Sequence, residues 1–469
     1  MLCCEEHDEN DRQGLFNIEQ DFCSRYPHGV TNITVTRASW FSGERDLCRG
    51  NEDQFQDDMG LDGHSLSGDS KLCTGSSGKG LCGSGCSWAN DSFVDSRKIR
   101  VHIVAHTHDD PGWIKTADQY FDQEVHALLN NSIASLLSNS SRIFHYVEMV
   151  YFKRWWGMQS TSVQTSVREL VAAGRLVFLT GGLCMNDEAG THVGAIVDQM
   201  TWGHRFLNDT FGPSALPTVS WQIDPYGHSA AYADLVQAMG FDAFVGQKIS
   251  NQVHDLRAAN KSLEFEWIPS GYTPGLVRPM IGHILYDNTD GYSFTFKKGV
   301  FDDPTKASFN IHKVARRVVD SVVTRLQRYR HDSDVLFLYG SDFAFQDAPK
   351  PFVEMEKVMR WINNRPDEYA VNGRPIELLY STPSNYFERV RAAATANPRL
   401  DGLPVEHGDF FPASFTNHYI RSGYFSSRNA QKASDRALWS TTNAATTLRA
   451  WHGVSFSLEL QCCVDSSMV

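Results

Sequence analysis

The chain has 469 residues, 41% hydrophobic and 21% charged, a globular composition with enough length for two or three domains and a large buried core. A formal net charge of −12 with no strong basic run excludes a nucleic-acid surface. No stretch reaches the roughly 18 consecutive apolar residues of a membrane span, and the opening MLCCEEHDENDRQG lacks the apolar segment of a signal peptide.

Residues 1–97 have few apolar runs and much Asp, Gly and Ser, and read as an irregular N-terminal extension. Seven of the ten cysteines lie there: Cys3, Cys4, Cys23, Cys48, Cys73, Cys82 and Cys86. The segment CTGSSGKGLCGSGCSW fits a disulfide-stapled or unstructured lead-in, with an irregularly spaced zinc knuckle as the competing reading. Six glycosylation sequons, at Asn32, Asn90, Asn130, Asn139, Asn208 and Asn260, point toward the secretory pathway. The sequons lead to an expected secretory-pathway destination, with a leader missing from this sequence.

From Arg97 the texture changes. A strand is expected over 101–105, a helix over 117–137, a strand over 144–149 ending in YFKRWW, and an amphipathic helix over 160–173. An apolar run over 176–180 follows, then a helix over 196–208, a strand over 218–223, a helix over 229–239 and a short strand over 243–246. After a long irregular section come a helix over 311–328, a strand over 335–339 and a helix over 353–364. Strands alternating with helices imply an α/β fold, a mostly parallel sheet covered on both faces or a barrel. In either architecture functional groups gather at the carboxyl ends of strands.

Three of these strands end in aspartate-bearing corners: His108-Asp109-Asp110, Asp224-Pro225-Tyr226-Gly227-His228, and Ser341-Asp342-Phe343. Imidazole beside carboxylate suits a divalent ion such as zinc. Any one corner also reads as a turn or a helix cap, so the argument rests on three converging on one rim.

The segments HTHDDPGWIKTADQYF, WQIDPYGHS and YGSDFAF occur in this order and resemble the hallmark segments of glycoside hydrolase family 38, the retaining class II α-mannosidases. GGLCMNDEAGTHVGAIVDQMTWGHRFL resembles the family's GGW-x-M-x-DEA segment and the helix after it. The likeness covers about residues 98–435 and lies nearest the lysosomal branch. It implies an α/β, mostly parallel barrel-like catalytic domain over 98–420 with helices outside, then over 421–469 the start of a helical middle domain.

It further implies a zinc-dependent retaining exo-α-mannosidase with one Zn²⁺ per chain, acting on terminal α-mannose of N-glycan-type oligosaccharides. His108, Asp110 and Asp224 match zinc ligands; Asp224 also matches the nucleophile and Asp342 the general acid/base. Such an enzyme sets its carboxyls about 5–5.5 Å apart, one attacking C1 and one protonating the leaving oxygen. Trp113 would stack on the sugar and Tyr226 fills a position usually held by Phe. His106 and Asp109 would stand behind the ligands.

The chain departs from the pattern at four places. Leu183 stands for the tryptophan of GGW, and Lys248 for an arginine near the nucleophile, keeping charge but not the bidentate fork. Arg421 in YIRSGYFSSR replaces an aromatic lining the sugar pocket. The family's His-His-Asp segment, source of the last zinc ligand, has no counterpart; His452 is the candidate histidine, in an unlike context. These departures lead to two expectations: an α-mannosidase truncated in this sequence, or a shortened mannosidase-like protein without activity that binds glycans weakly. A metal-dependent deacetylase on a related barrel is a weaker third, having no role for the WQIDPYGHS and GSDF pair. No oligomeric state follows from the sequence.

Overall fold

In the computed structural model the expected strand at 101–105 extends over Ile99–His108, and all ten of its positions are buried. A strand with no solvent face belongs in a sheet covered on both sides. The structure describes residues 72–75, 78–81, 98–269, 279–396, 402–416 and 419–451. Most of the N-terminal extension, including Asn32, Asn90 and every early cysteine except Cys73, lies outside the described residues, as does His452. Within that extension β1 (Leu72–Gly75) and β2 (Gly78–Leu81) pair as an antiparallel hairpin, which the sequence reading did not foresee.

The strand Ile99–His108 is β3. After it come β4 (Phe144–Tyr146), β5 (Leu176–Phe178), β6 (Val219–Gln222), β7 (Ala243–Gly246), β8 (Glu264–Trp267), β9 (Met280–Ile284) and β10 (Asp334–Asp342). The remaining strands are β11 (Ala370–Val371), β12 (Arg374–Tyr380), β13 (Val405–Glu406), β14 (Ser414–Thr416) and β15 (Tyr419–Ile420).

One sheet runs β11-β12-β3-β4-β5 with β10 on β3, parallel throughout except at β11–β12. The other runs β13-β8-β9-β7-β6, parallel except at β8–β9. Thr180 joins β5 to β6: its N–H donates to the Val219 carbonyl at 3.0 Å, and its hydroxyl accepts from the Trp221 N–H at 2.7 Å. The fold is thus α/β and mostly parallel, as expected. β14 and β15 form a separate antiparallel pair.

Helices cover the first sheet with apolar faces. Ile311–Arg328 turns Ile311, Val314, Ala315, Val318 and Val322 inward at helical spacing, into one core with Phe337 and Tyr339 of β10. The buried Arg325 guanidinium lies 3.8 Å over the Tyr286 ring and 4.3 Å over Phe337. Starts are set by caps: Thr116 and Gln119 form a capping box, and Ser160 and Ser229 accept backbone N–H groups. The helix Asn429–Trp451 falls in a different compact unit from residues 42–425. No helix among the described residues is long and apolar enough to cross a membrane.

Two expectations are corrected. The strand over 144–149 stops at Tyr146, and Met149–Gly157 is a helix that takes in YFKRWW, with Glu148 at its N-cap. A short apolar run carries no period that separates strand from helix. The section after 246 is not irregular throughout, for it holds the helix Asn251–Ala259 with β8 and β9. β12 and the helix Pro383–Ala396 were not anticipated.

Buried titratable groups give this core a directional pH response. His145 is fully buried, and its Nδ1–H donates to the Ala105 carbonyl at 2.9 Å while Nε2 has no partner among the described residues. Burial holds its pKa down to about 3. Above pH 6.5 neither folded nor unfolded chain protonates this ring; below it only the unfolded chain does, so stability falls with pH. The loss is about 1.4 kcal/mol per pH unit, about 2 kcal/mol at pH 5. Asp334 acts in the same direction in a more acidic window: burial pushes its carboxyl up, but His102 and His331 hold it well below the usual range. Its stabilisation is complete above the unfolded carboxylate value and is lost only in stronger acid. His145→Gln should flatten the fall in urea midpoint between pH 6.5 and 5 relative to the parent chain.

Candidate active site

Parallel pairing places the carboxyl ends of β3 and β10 side by side, with Asp342 directly opposite His108. The approach is close at Gly340, where a Cβ would stand 1.9 Å from the His106 carbonyl oxygen, so no larger residue fits. β6 delivers Asp224 just past its last residue, Gln222. His108, Asp110 and Asp224 meet in one pocket, whose wall also includes Glu148, Asp187, Tyr226 and Tyr424.

The His108 Nε2 lies 3.1 Å from Asp110 Oδ1 and 3.7 Å from Asp224 Oδ2. One ligand atom from each of the three residues falls within 4.8 Å of the others. A tetrahedral zinc site with bonds of 2.0–2.2 Å sets its ligand atoms roughly 3.3–3.6 Å apart. Neither ring nitrogen of the buried His108 makes a hydrogen bond of good geometry among the described residues. An aromatic nitrogen without a donor, faced by two carboxylates, is a donor set that fits a divalent cation. Burial lowers the His108 pKa, yet the Asp110 and Asp224 carboxylates outweigh it and raise it well above the ordinary value. A cation at Nε2 therefore competes with a firmly held proton.

Asp224 is tuned to stay ionised. Burial pushes its carboxyl up, but His108 and Lys248 together hold it well below the usual range. The Lys248 ammonium hydrogen-bonds Asp224 Oδ1 and sits 4.6 Å over the Tyr226 ring. The loop between them is fixed twice. Gly227, at φ 93° and with Phe411 2.3 Å from where a Cβ would stand, donates its N–H to the Lys248 carbonyl at 2.7 Å. Buried Glu188 accepts from His228 Nδ1 at 2.9 Å, Gln222 Nε2 at 3.0 Å and the Ser229 N–H at 2.7 Å. His228 Nε2 accepts the Gln247 N–H at 3.1 Å, which leaves the ring proton on Nδ1.

Asp342 is exposed, and its Oδ1 accepts the Tyr292 hydroxyl at 2.8 Å. Burial and the neighbouring Asp342 carboxylate keep that phenol protonated. Tyr292 packs edge-on to the His108 ring at 6.0 Å and lies 5.8 Å from the Lys248 ammonium, so it touches both sides of the site. Sequence reasoning missed it, as it missed Glu148 and the bracing by Glu188; a lone tyrosine in a polar stretch carries no pattern.

His106 is buried and its Nε2 contacts the Tyr292 carbonyl at 2.9 Å, away from the triad. Asp109 accepts the Thr107 hydroxyl at 2.7 Å, and burial pushes its carboxyl up to about 7. Trp113 is 75% exposed, which removes core packing as its role. Leu183 receives the Val150 N–H on its carbonyl at 3.0 Å. The Arg421 guanidinium lies 4.7 Å over Tyr419 and 4.9 Å over Tyr226, so the cation reaches the Tyr226 rim of the site.

Residues 98–414 match the model of the glycosyl hydrolases family 38 N-terminal domain. The chain belongs to glycosyl hydrolase family 38. It is 38% identical to a lysosomal alpha-mannosidase of Dictyostelium discoideum over 351 residues, 72% of this chain and 33% of that protein. Against the lysosomal alpha-mannosidase of Homo sapiens it is 35% identical over 390 residues, 77% of this chain and 36% of the relative. The chain spans about one third of the length of these family 38 relatives. Among solved structures, an alpha-mannosidase of Enterococcus faecalis aligns with a TM-score of 0.49 at 16% identity, over 67% of this chain and 31% of that one.

Proposed function

We propose that residues 98–420 form the catalytic portion of a zinc-dependent, retaining exo-α-mannosidase that removes terminal α-mannose from N-glycan-type oligosaccharides. The observation that supports it is the convergence of Asp224 with His108 and Asp110 while Asp342 stands across the β3–β10 ladder. Asp224, ionised beside Lys248, attacks the anomeric carbon, and Asp342 protonates the departing oxygen. Asp342, then a carboxylate, takes a proton from water, which displaces Asp224 and restores the α configuration. Trp113 offers the sugar an exposed ring face, and Tyr226, Lys248 and Arg421 form the adjoining rim.

His108, Asp110 and Asp224 would hold the ion, one per chain. Zinc would supply Lewis acidity toward the vicinal hydroxyls of mannose, which lie cis at C2 and C3. The family 38 relatives named as lysosomal support a lysosomal or secretory destination, and 421–469 reads as the start of a helical middle domain.

The test combines metal analysis with product stereochemistry. The folded chain should retain about one zinc after dialysis and release α-mannose first from an aryl α-mannoside, read by NMR before mutarotation. His108→Ala should lower both zinc content and turnover. Folded chain with neither zinc nor turnover would leave the non-catalytic, weakly glycan-binding alternative.

A further inference from the structure

The wall of the pocket behind His108 holds a carboxylate that no step above uses. Glu148 is fully buried, with neither side-chain oxygen hydrogen-bonded to another group among the described residues. It occupies the N-cap of the helix Met149–Gly157, where a carboxylate ordinarily accepts a backbone N–H, yet it makes no capping bond. Its carbonyl does serve the helix, accepting the Tyr151 and Phe152 N–H groups at 3.1 and 3.2 Å. The side chain is spent on something else. Its Oε1 lies 3.8 Å from His108 Nδ1, on the side of the ring away from Asp110 and Asp224.

We infer that Glu148 is the positioning residue of the metal site: its carboxylate accepts the His108 Nδ1 proton, fixing the tautomer and ring angle that leave the Nε2 lone pair to the ion. The inference rests on the reading of His108, Asp110 and Asp224 as metal ligands. Neither His108 Nδ1 nor the Glu148 carboxylate is committed to another hydrogen bond among the described residues, and only 3.8 Å separates them. A histidine bound to metal through one nitrogen almost always donates the other N–H to a carboxylate, carbonyl or water. Glu148 presents its Oε1 3.8 Å from that nitrogen from the N-cap just past β4, an element that supplies no ligand. A buried carboxylate without a hydrogen bond is a net cost to the fold, so its presence calls for a function.

The experiment compares the parent chain with Glu148→Gln and Glu148→Leu, using Zn²⁺ against a competing chelator, Co²⁺ absorption, and melting of the metal-free chains. Glu148→Leu should weaken zinc about 10–100-fold, and Glu148→Gln, which keeps an acceptor, should fall between it and the parent. The Co²⁺ spectrum should shift in both variants, because the ring is no longer held at one angle. Metal-free Glu148→Gln should melt no lower than the parent, whereas a purely structural role predicts a lower melting point with zinc affinity unmoved. A parent chain that binds zinc equally with both variants overturns the inference and leaves the metal reading intact. A folded parent chain that takes up neither zinc nor cobalt overturns both.

Discussion

Asp224→Ala should abolish turnover, lowering hydrolysis of an aryl α-mannoside about 10⁴-fold or more while the chain stays folded. The carboxylate holds two positions at once: Oδ2 faces His108 Nε2 at 3.7 Å and Oδ1 takes the Lys248 ammonium. On the proposed reading its loss would remove the attacking group and one of three ligands together, and it leaves Lys248 a cation in a partly buried pocket without that carboxylate. A fall in activity alone therefore does not separate the roles. Azide separates them: a small anion in the vacated space attacks C1 directly, and the product is β-mannosyl azide. An α-configured azide, or near-parental turnover in the variant, would refute the nucleophile assignment. Asp224→Asn, which keeps the shape and a neutral oxygen for the ion, should retain more zinc than Asp224→Ala with equally little turnover.

How far this site could be read from the chain follows from the kind of signal each residue leaves. His108, Asp110, Asp224 and Asp342 are polar residues breaking off apolar runs, and that contrast marks a strand end. The fold was legible for the same reason, since Ile99–His108 and Asp334–Asp342 each contain a run that only a covered sheet accommodates. The ends of those strands were not. His106, Thr107 and His108 belong to β3 because backbone ladders to β10 and β4 continue through them, and pairing between distant segments writes no period into either. Glu148 hid inside a run that reads as strand but bends into a helix two residues after Tyr146. Tyr292 was illegible for a different reason: its role exists only because the segment after β9 folds back to β10, where Phe294 pairs with Gly340.

That fold-back bears on the other carboxylate. Asp342→Ala should divide substrates by leaving group. An alkyl or sugar α-mannoside needs a proton on the departing oxygen and should slow about 10²–10⁴-fold. A dinitrophenyl α-mannoside leaves unaided, so its glycosylation step should stay near the parental rate, with water attack on the covalent intermediate now limiting. Azide should accelerate that second step and give α-mannosyl azide, the opposite anomer to that from Asp224→Ala. Tyr292→Phe supplies the intermediate case. The Tyr292 hydroxyl donates to Asp342 Oδ1 at 2.8 Å and so fixes the direction in which that carboxyl points. Without that bond the carboxyl is less firmly oriented toward the leaving oxygen, so Tyr292→Phe should slow an alkyl α-mannoside more than a dinitrophenyl α-mannoside. An Asp342→Ala variant that slows both leaving-group classes equally would place the proton donor elsewhere. In that event the next candidate is the Tyr292 phenol, whose hydroxyl already hydrogen-bonds Asp342 Oδ1 at 2.8 Å.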